Sequence, residues 1–238
     1  MADTFLYDAL CLGAHPDDVE MAMGGTVAAL SAAGRKVMIL SLTRGEMGTW
    51  GSPALRAEEA AEAARILGCD HRILDLPDSR LSADPPTRER VARLLRELRP
   101  RLLFAPWPHS RASHMDGRAN VDHLACGILA RDAAKLARLG KALDGKGEAH
   151  AVQRVYYYML PAEPRPTFAV DVSEHEETLI EAISAYRSQM DIGRGGRSLL
   201  DILLLDRRAT GSRLHVALAE PFLCEDVVGG SAEQLFQL

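Results

Sequence analysis

Leu12-Gly13-Ala14-His15-Pro16-Asp17-Asp18-Val19-Glu20, followed by the pair Gly24-Gly25, is the stretch on which the reading of the fold turns. Before it, Leu6 to Leu12 is a short, largely apolar run that reads as a buried strand. After it, Glu20 to Ala33 is rich in helix formers. Pro16 biases His15 away from helical dihedrals and cannot extend a strand ladder, so the strand should end there and a turn begin. The polar cluster therefore falls on a strand-to-helix turn, where parallel α/β proteins carry their chemistry.

The same alternation continues outward from this turn. The first helix should stop at Gly34, and Lys36 to Leu42 reads as a second buried strand, which closes a βαβ unit. A right-handed crossover would bring the loop from Thr43 to Ser52 to the same sheet edge as His15. That loop holds three glycines, Glu46, Met47 and Trp50, is long for its type, and reads as a wall of the site. Ser52-Pro53 starts the next helix and Gly68 ends it. His71 to Leu76 is a third strand ended by Pro77-Asp78, Thr87 to Leu98 an amphipathic helix, Arg101 to Trp107 a fourth strand, and Val121 to Leu139 a helix. The expected fold is α/β: a single Rossmann-like three-layer domain over residues 1–238, with a mostly parallel sheet and helices on both faces. Its core would occupy 1–140. The C-terminal extension, 150–238, would hold two strands at Val152 to Leu160 and Thr167 to Val172, then helices at Glu174 to Met190 and Leu199 to Arg208.

Composition narrows the classes of function. A formal net charge of −5 over 238 residues argues against a nucleic-acid footprint, and no apolar run approaches membrane-spanning length. The four cysteines lack a C-x-x-C pair, which points to reduced thiols and a cytoplasmic protein. A dinucleotide site is disfavoured because no G-x-G-x-x-G follows the first strand.

On residues alone, His15 and Asp18 are one helical turn apart and can converge on a cation, with Asp17 beside them; the competing reading is that both aspartates cap a helix. Arg56 lies in the first turn of a helix, where the dipole disfavours a cation, so either an anionic ligand or Glu59 should neutralise it.

Ala14-His15-Pro16-Asp17-Asp18-Val19-Glu20, Gly24-Gly25-Thr26, Thr43-Arg44-Gly45-Glu46-Met47-Gly48 and Asp122-His123 resemble the LmbE/PIG-L family of zinc-dependent N-deacetylases. Ala185-Tyr186-Arg187-Ser188-Gln189 and Ala219-Glu220-Pro221-Phe222 fit as well, so the likeness covers nearly the whole chain, and it is strongest toward the bacillithiol-biosynthesis branch. The resemblance implies a divalent metal, Zn2+ or another such as Fe2+, on His15, Asp18 and His123. Asp17 would be the general base and Asp122 would orient a neighbouring group. It further implies a small acetylated amino sugar as substrate, N-acetylglucosamine joined to an acid such as malate, and a homo-oligomer. Glu46 and Met47 would line the sugar site, and Arg56, with Arg111 or Arg118, would take carboxylates. The chain departs from the family at one point: His-Pro-Asp-His is Asn120-Val121-Asp122-His123 here. An oxyanion donor is then expected from Asn120, or from His114 or His109 in the preceding loop. A non-catalytic sugar- or metal-binding protein of the same fold is the alternative.

Overall fold

Five parallel strands carry the molecule in the order β3-β2-β1-β4-β5, formed by Tyr7–Gly13 (β1), Val37–Thr43 (β2), Asp70–Leu76 (β3), Pro100–Pro106 (β4) and Arg154–Tyr158 (β5). The computed structural model describes residues 5–109, 120–161, 165–190 and 196–226. The central strand explains the layering. In β1, Leu10 and Leu12 face one side with Leu40, Leu103 and Ala105, whereas Ala9 and Cys11 face the other with Ile39 and Phe104. A strand buried on both faces needs cover on both, and the connecting helices supply it. The helices Pro85–Leu98 (α3) and Val121–Ala137 (α4) cover the first face. Asp18–Ala32 (α1) and Pro53–Leu67 (α2) lie on the second, where Glu176–Ala185 (α5) packs against both. None of the helices among the described residues is long and apolar enough to cross a membrane.

Local signals set most boundaries. Ser52 caps α2 through its side chain, Gly68 ends it at φ 69°, and α3 begins two residues earlier than expected because Asp84 caps it ahead of Pro85. The C-terminal third departs further from expectation. β5, within the strand expected from Val152 to Leu160, extends the main sheet beside β4. Phe168–Asp171 (β6) pairs instead with an antiparallel strand, Ala219–Phe222 (β7), and Leu223 bridges back to Tyr157 of β5. This small sheet lays Phe168 and Phe222 against Tyr156 and Phe104, over the β4–β5 end of the second face. The expected helix from Glu174 to Met190 is interrupted: α5 stops at Ala185, and Tyr186 leaves helical dihedrals before a single turn at Arg187–Gln189. The last helix, Leu199–Ser212 (α6), packs on β7.

α1 itself is broken at Met23, with φ −145° and ψ 23°. A break frees the N–H groups of Gly25 and Thr26 and the carbonyl of Met21, which an unbroken helix would pair. Glu220 on β7 accepts from Gly25 N at 3.1 Å and Thr26 N at 2.6 Å, while Arg207 on α6 donates to Met21 O at 2.8 Å and pairs with Glu220 at 2.7 Å. Gly25 is required because a Cβ there would sit 2.9 Å from the Cβ of Val172.

Candidate metal centre and hydrolytic site

The C-terminal ends of β1, β2, β3 and β4 converge, as the crossover rule requires, and their loops bring four carboxylates around two imidazoles. Asp18, the first residue of α1, folds back over its own turn: Oδ2 accepts from the His15 backbone N–H at 2.9 Å and lies 3.5 Å from His15 Nδ1. Its Oδ1 lies 3.0 Å from Nε2 of His123, which stands in the first turn of α4. The ligand atoms of His15, Asp18 and His123 all lie within 4.8 Å of one another.

Two observations fit this trio to a cation. Both ring nitrogens of His123 are buried: Nδ1 has no hydrogen bond among the described residues, and Nε2 faces Asp18 Oδ1 at 3.0 Å without hydrogen-bond geometry, an arrangement that leaves a lone pair for another partner. The surrounding carboxylates also demand positive charge: burial alone would lower the pKa of His15, yet Asp18, Asp17 and Asp78 raise it to about 10. A second trio, His15, Asp78 and Asp122, is equally close. Three of its four carboxylate oxygens already accept backbone N–H groups: Asp122 accepts Ser79 N at 2.6 Å and Leu81 N at 3.1 Å, and Asp78 Oδ2 accepts Met47 N at 2.8 Å. His15 Nε2, 3.1 Å from Asp78 and 3.3 Å from Asp122, is the group these two carboxylates hold. This leaves Nδ1 on the Asp18 side.

Asp17 takes a different path. It occupies the cap position of α1 at φ 112° without a side-chain cap bond, so the capping reading of the sequence is not realised. Such a conformation costs about 1–3 kcal/mol in a non-glycine residue. Its carboxylate pairs with Arg56, Oδ2 to Nη2 at 2.6 Å. Burial lifts its pKa to about 7 despite the pull of Arg56 in the opposite direction.

The partner expected for Arg56 needs correction, and the other expected residues have these surroundings. Arg56 is neutralised by Asp17, not by Glu59; the latter accepts from the backbone and hydroxyl of Ser188 at 2.8 and 2.6 Å. Asn120 is exposed, and its side-chain oxygen caps α4 by accepting from Asp122 N at 2.8 Å. Glu46 accepts from the Asp78 backbone at 3.0 Å, which ties the second loop to the third, and Met47 is exposed beside it. His109 lies against Trp107 and 3.7 Å from Glu225. His114, Arg111 and Arg118 lie outside the described residues.

Asp78 was not singled out from sequence, although Leu76-Pro77-Asp78 repeats at the third strand end the strand, proline, aspartate order of the first. The segment from Ala185 to Gln189 serves as a fastening: Tyr186 OH donates to Glu20 at 2.7 Å, and Gln189 donates to the Trp50 carbonyl at 3.0 Å.

Glu20 carries a pH-dependent prediction. Burial raises its pKa to about 7, against the opposing hydrogen bond from Tyr186. An acid whose folded pKa is raised leaves the folded state holding more protons than the unfolded chain. Stability should therefore fall as pH rises from the unfolded value near 4.5 through about 7. Glu20→Gln keeps an acceptor for Tyr186 and removes the titration. It should be more stable than wild type by about 1–3 kcal/mol at pH 8 and not at pH 4.5, read by urea unfolding of the metal-free protein. A difference that does not change with pH would contradict this account.

A family model described as PIG-L, GlcNAc-PI de-N-acetylase, matches residues 10–134. Diacetylchitobiose deacetylase of Thermococcus kodakarensis is 29% identical over 192 residues, 76% of this chain and 69% of that protein. The 1D-myo-inositol 2-acetamido-2-deoxy-alpha-D-glucopyranoside deacetylase 2 of Catenulispora acidiphila is 29% identical over 248 aligned positions, 77% of this chain and 80% of that protein. The crystal structure of a conserved protein from Thermus thermophilus superposes with a TM-score of 0.84 at 39% identity, covering 95% of this chain and 98% of that one.

Proposed function

The chain belongs to the PIG-L family, and on that footing we propose that it is a metal-dependent N-deacetylase that hydrolyses the acetamide of an N-acetylglucosamine conjugate. The observation that carries the reading is the convergence of the buried His123 ring, Asp18 and His15, whose ligand atoms lie within 4.8 Å of one another, with Asp17, a carboxylate of raised pKa, beside Asp18 in the chain. His15, Asp18 and His123 would hold the metal, zinc or iron. A divalent ion there supplies Lewis acidity toward the amide carbonyl and acidifies water near neutral pH. The rest falls to the chain's own groups. Asp17 takes a proton from the attacking water and returns it to the amine nitrogen as the C–N bond breaks, releasing acetate and the free amino sugar. Asp78 and Asp122 keep His15 oriented through Nε2.

The aglycone follows from charge. Arg56 is buried and already paired with Asp17, so it does not offer a free cation to an acidic aglycone. The two named relatives carry neutral glycosides in their names, diacetylchitobiose and an inositol N-acetylglucosaminide. A neutral aglycone is therefore the favoured reading, with Glu46 near the sugar hydroxyls. N-acetylglucosaminyl-malate, as in bacillithiol synthesis, is the second, with Arg118 as its cation. Asn120, standing where the family has histidine, supports a third reading, a non-catalytic sugar- or metal-binding protein.

Acetate release from diacetylchitobiose and from N-acetylglucosaminyl-malate, run with metal analysis, tests these readings. One metal per chain in wild type, its loss in His123→Ala, and faster turnover of diacetylchitobiose are expected. Metal without acetate release from either compound would favour the binding protein, and full metal occupancy in His123→Ala would overturn the ligand set.

A further inference from the structure

We propose that Arg56 is a positioning residue for Asp17, holding it in the conformation from which it works; this rests on Asp17 being the base of a deacetylase. Arg56 is 4% exposed and lies in the first turn of α2, where the helix dipole disfavours a cation. A single nitrogen, Nη2, donates both to the carbonyl of Pro16 and to Oδ2 of Asp17, the latter at 2.6 Å, while Nη1 reaches the carbonyl of Gly45 at 3.5 Å. The Pro16 carbonyl belongs to the peptide that enters Asp17, the residue with φ 112°. One grip thus fixes both the strained backbone and the side chain. It occupies Oδ2 and leaves Oδ1 without a hydrogen bond among the described residues, available to accept a proton.

The loop ahead of α2 is shaped to admit this guanidinium. A Cβ at Gly45, itself at φ 65°, would collide with Nη1; at Gly48 it would lie 3.1 Å from Nη1, and at Gly51 3.2 Å from the Arg56 Cγ. Gly45 and Gly48 therefore answer to the guanidinium, while Gly51 meets Ser188 first, its Oγ at 2.8 Å. Lysine would not substitute, because a single ammonium cannot span the Gly45 carbonyl on one side and the Pro16 and Asp17 oxygens on the other.

The test uses the metal-loaded full chain and diacetylchitobiose, a substrate without a carboxylate. Arg56→Lys and Arg56→Ala should lower kcat about 100-fold, the scale of a base displaced by about 1 Å, with KM and metal content little changed. In an Asp17→Asn background, Arg56→Ala should cost no further turnover. Guanidinium ion should partly restore Arg56→Ala, and methylammonium should not. A raised KM with kcat retained would make Arg56 a ligand contact and overturn the proposal, as would losses that add in the double variant. Should Arg56→Ala fail to fold, Gly45→Ala keeps the arginine but crowds Nη1: the same fall in kcat is expected, and a wild-type kcat overturns the proposal. A wild type that releases no acetate would instead count against the deacetylase reading. The Asp17→Asn, Arg56→Lys cycle of unfolding free energies then decides, with non-additive values expected and strictly additive ones refuting the grip.

Discussion

Asp17→Asn should bind the metal as wild type does and turn over about 100- to 10,000-fold more slowly, the range expected for removal of a general base. The structure separates the two properties. Asp17 stands apart from the trio of His15, Asp18 and His123, and its carboxylate faces Arg56. An asparagine side chain can still accept from Arg56 through its carbonyl oxygen, so the turn should survive. With a pKa raised to about 7, the wild-type carboxyl is largely protonated below neutrality and cannot accept a proton there. The acid limb of kcat/KM should accordingly rise with pH through the neutral range in wild type and be missing in the residual activity of the variant. Metal analysis and a pH profile of acetate release read both halves. Metal lost together with activity, or turnover within about tenfold of wild type, would remove Asp17 from the role.

The second large effect concerns stability. Arg207→Ala should destabilise the fold by about 3–5 kcal/mol, because it leaves Glu220, fully buried, without its counter-charge. It also leaves the Met21 carbonyl without the donor it meets at 2.8 Å, at the point where α1 is broken. That is a large part of the roughly 5–15 kcal/mol by which domains of this kind are stable. Glu220→Gln keeps acceptors for Gly25 and Thr26 through one oxygen only, and should cost less. Urea unfolding of the two variants at pH 7 gives the comparison. A loss under about 1 kcal/mol for Arg207→Ala would mean that water reaches the pair and that the break in α1 is held by packing alone.

The amino-acid sequence by itself determined the five strands of the main sheet and the first half of the site. Period, caps and prolines are local, so β1 to β5, the helices between them and the functional edge of the sheet could be read from short windows. His15 and Asp18 were legible for the same reason, being one turn apart on one loop. His123 needed the resemblance, since nothing local says that a histidine in the first turn of α4 stands 3.0 Å from an aspartate 105 positions earlier. Tertiary structure decided the rest. The partner of Arg56 is chosen by a loop crossing from another strand end, which brings Asp17 closer than the helical neighbour Glu59. The capping role of Asn120 and the grip of Asp78 on His15 depend on which loops share the edge. The motifs around Gly24-Gly25-Thr26, Tyr186 and Glu220 carry the family resemblance in a one-dimensional reading. In the fold, Gly25, Thr26 and Glu220 close the break in a helix and Tyr186 meets a buried carboxylate, because backbone groups freed inside a core must be paired by whatever the rest of the chain brings to them.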